Sequence, residues 1–331
     1  MSSAAQHRAL LAASVILLSS VAQAHGQAWV PAKGTGDFTV IYQNLYTRDH
    51  LFGDGSKFDA GSVRLLGLTP ILDYGLTDRW GIRLSLPLGA GKYTGPSPHA
   101  LPIDNGNYHG TLQDFNLGLR YNARARPLSV TPFFRMAIPV RRYEHFAHSA
   151  VGSQLREFRF GVSAGRRLDP VLRNAYFQAG YSFGFAQRIE GIRPKRSFLD
   201  GELGYFVTRR LQVRAIGISQ LSHGGLDSPQ DFPDRTPVNA RWRAHDQISR
   251  INVVNLGGGV SYDLNQSWTV FSSLLTTVWG TNGHALNAGL AVGMSWSFRT
   301  PFARRPSEYQ SQAEEPADPI RRFACACSSV K

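Results

Sequence analysis

Along residues 80–88, Trp80, Ile82, Leu84, Leu86 and Leu88 occupy alternate positions, with Gly81, Arg83 and Ser85 between them. That period of two predicts a strand with one apolar and one polar face. The pattern recurs along the chain. In 112–121, Leu112 is followed by the out-of-phase pair Gln113-Asp114; Phe115, Leu117, Leu119 and Tyr121 then oppose Asp114, Asn116, Gly118 and Arg120. Val130, Phe134, Met136, Ile138 and Val140 oppose Thr131, Arg135 and Ala137, and Phe158, Phe160 and Val162 oppose Arg159, Gly161 and Ser163. Ala179, Tyr181, Phe183 and Phe185 alternate with Gly180, Ser182 and Gly184. Leu286, Leu290, Val292, Met294, Trp296 and Phe298 alternate with Asn287, Gly289, Gly293, Ser295 and Ser297. Weaker alternation lies near 37–47, 60–74, 197–207, 211–221, 250–262 and 267–279. The total is about twelve strands, most of them meeting the ~9–11 residues of a tilted membrane strand.

The connections alternate in length. Gly75–Arg79, Ala123–Leu128, Arg166–Asn174, Thr208–Arg210 and Asp263–Gln266 are short, whereas 48–58, 89–110, 141–153, 187–196 and 222–247 are long, with a shorter one near 280–284. Short turns at one end and long loops at the other predict an all-β, up-and-down antiparallel transmembrane barrel. A soluble Greek-key sandwich mixes its connection lengths at both ends.

The polar face carries Arg83, Asp114, Arg120, Arg135, Arg159, Asp200, Glu202 and Arg214 among glycines and serines. A dry core penalises such groups and a watery lumen accepts them, so these eight are the expected pore lining. Arginine outnumbers acid in this set, which predicts a mild preference for anions or polarisable aromatics. Helical content is expected to be minimal, and no internal repeat beyond the strand–turn–strand unit is evident.

Composition fits this reading. The chain is 42% hydrophobic and 18% charged, too apolar for a disordered protein, and its mean hydropathy of −0.22 hides membrane strands because their faces cancel. The net charge of +13 comes from scattered arginines rather than a legible nucleic-acid module, so acidic lipid or anionic solutes are the expected partners. At the N-terminus, His7-Arg8, the apolar run 9–22 and Ala22-Gln23-Ala24 form a secretory signal over 1–24, too short to anchor. The barrel then spans 25–298. Residues 299–331 are polar, aperiodic and Pro-containing, and read as a disordered periplasmic tail.

Two segments carry resemblances. Residues 291–298, "AVGMSWSF", resemble the C-terminal signal by which outer-membrane barrels are taken up by the barrel assembly machinery, with Gly293, Trp296 and Phe298 in the signal positions. Ala291 stands where a polar residue is usual, and a tail follows where the chain usually ends. The stretches "YGLTDRWGIRLSLPL" (74–88), "DFNLGLRY" (114–121) and "VTPFFRMAIPV" (130–140) resemble the meta-pathway phenol-degradation family of outer-membrane proteins. That resemblance implies a roughly twelve-stranded barrel passing small, often hydrophobic or aromatic solutes, with no catalytic residues and no cofactor.

Catalytic and metal patterns are sparse. In "QLSHGGL" (220–226) Ser222 is the nearest match to the nucleophile of outer-membrane lipid A deacylases and phospholipases. Gln220 occupies the base position and His223 points to the opposite strand face. His50, His99, His109, His145, His148, His223 and His245 fall in predicted loops and are expected to be solvated. His145-x-x-His148 with Glu144, Cys325-x-Cys327 and a mature N-terminal His25 each lack a complete ligand set. The loop 89–110 lacks a phosphate-binding pattern and is expected to fold over or into the pore. Arg141-Arg142 and Arg193–Arg196 are either lipopolysaccharide contacts or solvated charge. The expected protein is therefore a bacterial outer-membrane channel for small solutes. A lipid-modifying enzyme and a plugged barrel acting through its loops are the alternatives.

Overall fold

The computed structural model describes residues 28–96 and 98–303; the signal segment, His25 and the Cys325/Cys327 tail lie outside the described residues. Alternation builds the strands as expected. β1 (Thr35–Leu51), β2 (Lys57–Gly75), β3 (Trp80–Ser85), β4 (Leu88–Thr94), β5 (His109–Leu112), β6 (Asp114–Tyr121) and β7 (Ser129–Pro139) form the first half of one sheet. β8 (Glu157–Arg167), β9 (Ala175–Ala186), β10 (Lys195–Phe206), β11 (Leu211–Ser222), β12 (Asn252–Asp263), β13 (Trp268–Thr281) and β14 (Gly283–Arg299) complete it.

These fourteen segments make twelve strands. β3 and β4 both pair with β2 and are one strand interrupted at Leu86-Pro87, where proline has no N–H for the ladder. β5 and β6 are one strand interrupted at Gln113, the point of the out-of-phase pair. Every neighbouring pair is antiparallel, and β1 pairs with β14 from Thr35↔Arg299 to Leu51↔Gly283, so the sheet closes without an edge. The expected all-β, twelve-stranded up-and-down barrel is the observed fold.

Outward positions are apolar and exposed, among them Tyr42, Leu68, Phe160, Tyr181, Leu203, Val260, Leu274, Leu290 and Met294. A belt of this extent on a closed barrel is the surface that lipid covers. At the short-turn end Trp80 packs on Tyr121, and Trp268, Trp296 and Phe298 form a second cluster, an interfacial aromatic girdle. No described helix is long and apolar enough to cross a membrane.

Several local expectations are corrected. Leu286 does not share the outward face: β1 pairs Tyr46 with Ala288 but Thr47 with Leu286, and the extra residue Asn287 turns Leu286 fully inward. The 89–110 segment is a loop only over its middle, because β4 and β5 extend the wall at either end. The long loop after β11 contains two single-turn helices, α1 (Ala240–Arg243), capped by Asn239, and α2 (His245–Ile248). The last strand runs to Arg299, and Thr300 still donates to the Gly34 carbonyl, so the chain stays attached past 298.

Candidate functional site: a two-sided lumen

The inward faces divide into two arcs. On β1, β2, β11, β13 and β14, Ile41, Leu45, Val63, Leu65, Ile71, Ile216, Phe271, Leu275 and Leu286 form one buried apolar cluster inside the barrel. Sequence reading assigned this face to polar residues alone. The parity of each strand pointed to the apolar ones, but their inward direction depends on the closed sheet.

The opposite arc, β3 to β10, carries the charges, together with the inward carboxylate of Asp73 on β2. Asp73 pairs with Arg120 and lies 3.8 Å from Arg83. Glu157 pairs with Arg159 and, at 2.9 Å, with Arg196. Across the boundary to β11, Glu202 lies 3.9 Å from Arg214, whose guanidinium sits 5.8 Å from the Phe271 ring of the apolar arc. Arg135 stacks over Phe133 at 4.5 Å and lies in the field of Asp200. Arg159 covers Phe198 at 3.5 Å.

All eight residues expected at the pore thus face inward, and the structure adds Asp37, Asp73, Glu157 and Arg196. Arg196 is buried against Glu157, so it is not a lipopolysaccharide contact. With these additions, Arg83, Arg120, Arg135, Arg159, Arg196 and Arg214 face Asp37, Asp73, Asp114, Glu157, Asp200 and Glu202. In number the arginine excess disappears, and Arg83, Arg120, Arg159, Arg196 and Arg214 lie against Asp73, Glu157 and Glu202. Asp73 and Glu157 share strand parity with Thr69 and Arg159, so their inward facing was legible in the sequence, but their pairing with the arginines was not.

Both ends of the lumen are narrowed. At the short-turn end, residues 28–34 run inside the barrel. Ser129 and Thr131 hydroxyls donate to the Ala28 carbonyl at 2.6 and 2.8 Å, Arg120 donates to the Trp29 carbonyl at 3.1 Å, and the Trp29 ring meets Tyr176 edge-on. From the other end the 140–156 loop descends along the wall. Gln113 donates to the Val151 carbonyl, and Tyr143 donates to Asp114 at 2.7 Å while accepting from the Gln154 N–H at 2.8 Å. Burial and the adjacent Asp114 push the Tyr143 phenol above its usual range. Between these segments lies a cavity lined by Arg83, Asn116, Arg135, Glu157 and Arg159 on one side and Ile71, Val151 and Leu155 on another.

The three long loops lock over the mouth. Phe146, Phe232, Trp242 and Ile248 form their apolar centre. The buried carboxylate of Asp104 accepts from the N–H groups of His99, Ala100, His148 and Ser149 and from the Ser149 hydroxyl at 2.7 Å, joining loop 95–108 to loop 140–156. In the third loop, burial raises Asp246 to about 6 against the pull of His245 at 3.0 Å.

The histidines depart furthest from expectation. His50, His148 and His245 are buried rather than solvated, because the loops that carry them fold onto each other. Burial, then the neighbouring imidazoles of His99, His50, His284 and His245, holds His148 well below the ordinary histidine range. The 145/148 pair is split: His145 lies 4.0 Å from Glu144, while His148 turns to His50 and His284. His109 meets Asn105 at 3.0 Å and His223 meets Ser197 at 2.6 Å. The Ser222 hydroxyl donates to the Ile251 carbonyl at 2.7 Å, and the neighbouring His223 meets Ser197 instead.

No protein-family profile matches this sequence, and no curated protein sequence matches it. Among solved structures the chain is similar to an outer-membrane channel from Pseudomonas putida F1, with a TM-score of 0.64 at 13% identity over 82% of this chain and 98% of that one. Looser likenesses are the NanC porin, with a TM-score of 0.45 at 9% identity over 80% and 100% of the two chains, and the translocator domain of the autotransporter NalP from Neisseria meningitidis, with 0.47 at 10% over 81% and 90%. The first likeness shows the fold of a bacterial outer-membrane barrel, and the apolar belt places this chain in that membrane.

Proposed function

We propose that this protein is an outer-membrane channel for small amphipathic solutes, molecules with an apolar or aromatic body and a polar or weakly charged end. The observation that carries this reading is the two-sided lumen. An apolar arc receives the body of such a solute, and the facing arc of arginines and carboxylates receives its polar end. Because arginines and carboxylates are balanced in number on that face, selectivity between anions and cations is weak, and Arg135, which lines the cavity, is placed to meet the polar end of the solute. Passage requires no reaction and no cofactor. Gly293, Trp296 and Phe298 serve as the assembly signal in this reading, with the two aromatics outward at the girdle.

The filled ends favour one second reading, a plugged barrel acting through its loops. Liposome swelling separates the two. The channel reading expects faster entry of phenol and benzoate than of a sugar of similar size, and a smaller benzoate preference in Arg135→Ala. A barrel that passes none of these solutes and shows no conductance steps in planar bilayers is the plugged one.

A further inference from the structure

Three imidazoles meet at the extracellular end of the seam that closes the barrel. His50, near the end of β1, is the cross-strand partner of His284 at the start of β14, and His148 reaches them from the descending loop. Ring nitrogens of all three lie within 4.8 Å of one another, and all three side chains are buried. The His50 and His284 rings are only 3.7 Å apart between centroids at a 56° tilt, closer than the ~4.5–7 Å of ordinary tilted ring pairs.

Each neutral imidazole offers one lone-pair nitrogen, and three such nitrogens converging in a buried site make the donor set that a cation with nitrogen affinity takes. We propose that His50, His148 and His284 form a binding site for one divalent first-row transition-metal ion, zinc or a neighbour, with water in the fourth position.

Nitrogens at ~2.0–2.1 Å from such an ion stand roughly 3.3 Å apart in a tetrahedron, so the rings need to draw in by less than about 1 Å each. The surroundings suit this. Asp104 fixes the backbone at His148 through that residue's own N–H at 2.9 Å, and His148 is flanked by Tyr93, stacked at 4.3 Å, and His99, stacked at 3.8 Å. Asp49 and Asp59 act electrostatically on His50 and offset part of the ion's charge. β1 is 17 residues long, more than the ~9–11 needed to cross, so His50 stands beyond the lipid on the loop side. The bound ion joins the lumen loop to the closing strand pair.

The test uses the full mature chain, untagged, carrying His25→Ala, Cys325→Ser and Cys327→Ser to remove the other metal-binding groups, and folded in detergent micelles after chelator treatment. Titration with Co2+ is expected to give one ion per chain with the intense visible absorption of a tetrahedral site, displaced by Zn2+. His148→Ala and His284→Ala, each checked for the folded band on an unheated gel, are expected to weaken binding by about tenfold or more. Zn2+ is expected to raise the temperature at which the parent's folded band is lost, with no rise in His148→Ala. Binding that survives in a triple alanine variant of the three histidines overturns the site. Should the variants not fold, Cu2+ bound to the parent must show nitrogen hyperfine splitting in its electron paramagnetic resonance spectrum, and its absence, or no stoichiometric binding at all, also overturns it.

Discussion

At the residue scale, single buried groups hold the loops to the barrel. Asp104 accepts five hydrogen bonds from two loops, so Asp104→Ala leaves several buried donors without an acceptor. We expect a local loss of at least about 3 kcal/mol, read as rapid protease nicking of loops 95–108 and 140–156 while the barrel stays folded. Asp246 gives a pH dependence. Its folded pKa of about 6 lies above the ordinary 3.8, so the folded cap holds more proton than the unfolded chain in that window. Stability from this group is therefore greatest below 3.8 and declines as pH rises to about 6. Asp246→Asn should flatten the protease sensitivity of loop 223–251 across that range, and an unchanged slope would assign it to another group. The eight charged lumen positions were legible from strand parity. Asp104 was not, because a loop aspartate carries no periodicity and its role depends on two loops meeting.

At the scale of elements, the descending loop is fitted to one backbone position. A side chain at Gly91 on β4 would collide with the Ser149 carbonyl oxygen, which no rotamer can relieve. Gly91→Val should expel residues 148–152 from the wall, raising single-channel conductance and protease access together; a variant with parental conductance would show that this loop does not narrow the passage. The phase slip at Gln113-Asp114 was visible in the sequence, and the structure gives its cause. Gln113 keeps its backbone bond to the Pro87 carbonyl while its side chain turns inward to bind Val151, so the break in alternation marks where the loop docks. The bulge at Asn287 had no such mark. Its neighbours alternate acceptably in either register, and pairing with β1 decides between them.

For the whole molecule, the decisive contrast lies between the two surfaces of one sheet. Leu290 faces outward at mid-height, opposite Asn44 on β1 and Leu274 on β13. Leu290→Arg should cost about 2–4 kcal/mol in urea titrations of the vesicle-inserted barrel, whereas the same charge at inward-facing Asn116 should cost far less. Equal costs would contradict lipid on the outside and water within.

By itself the sequence determined the strands, their number, the alternation of short and long connections, and which residues share a face. These are local properties, set by side-chain period and turn composition. Only the tertiary structure decided that an apolar arc faces the charged one, that Asp73 and Glu157 neutralise the arginines, and that two segments narrow the lumen. It alone brought together His50, His148 and His284, from three elements far apart in the chain. Such features depend on which strands become neighbours when the sheet closes and on how far the loops fold back, and no periodicity along the chain records either.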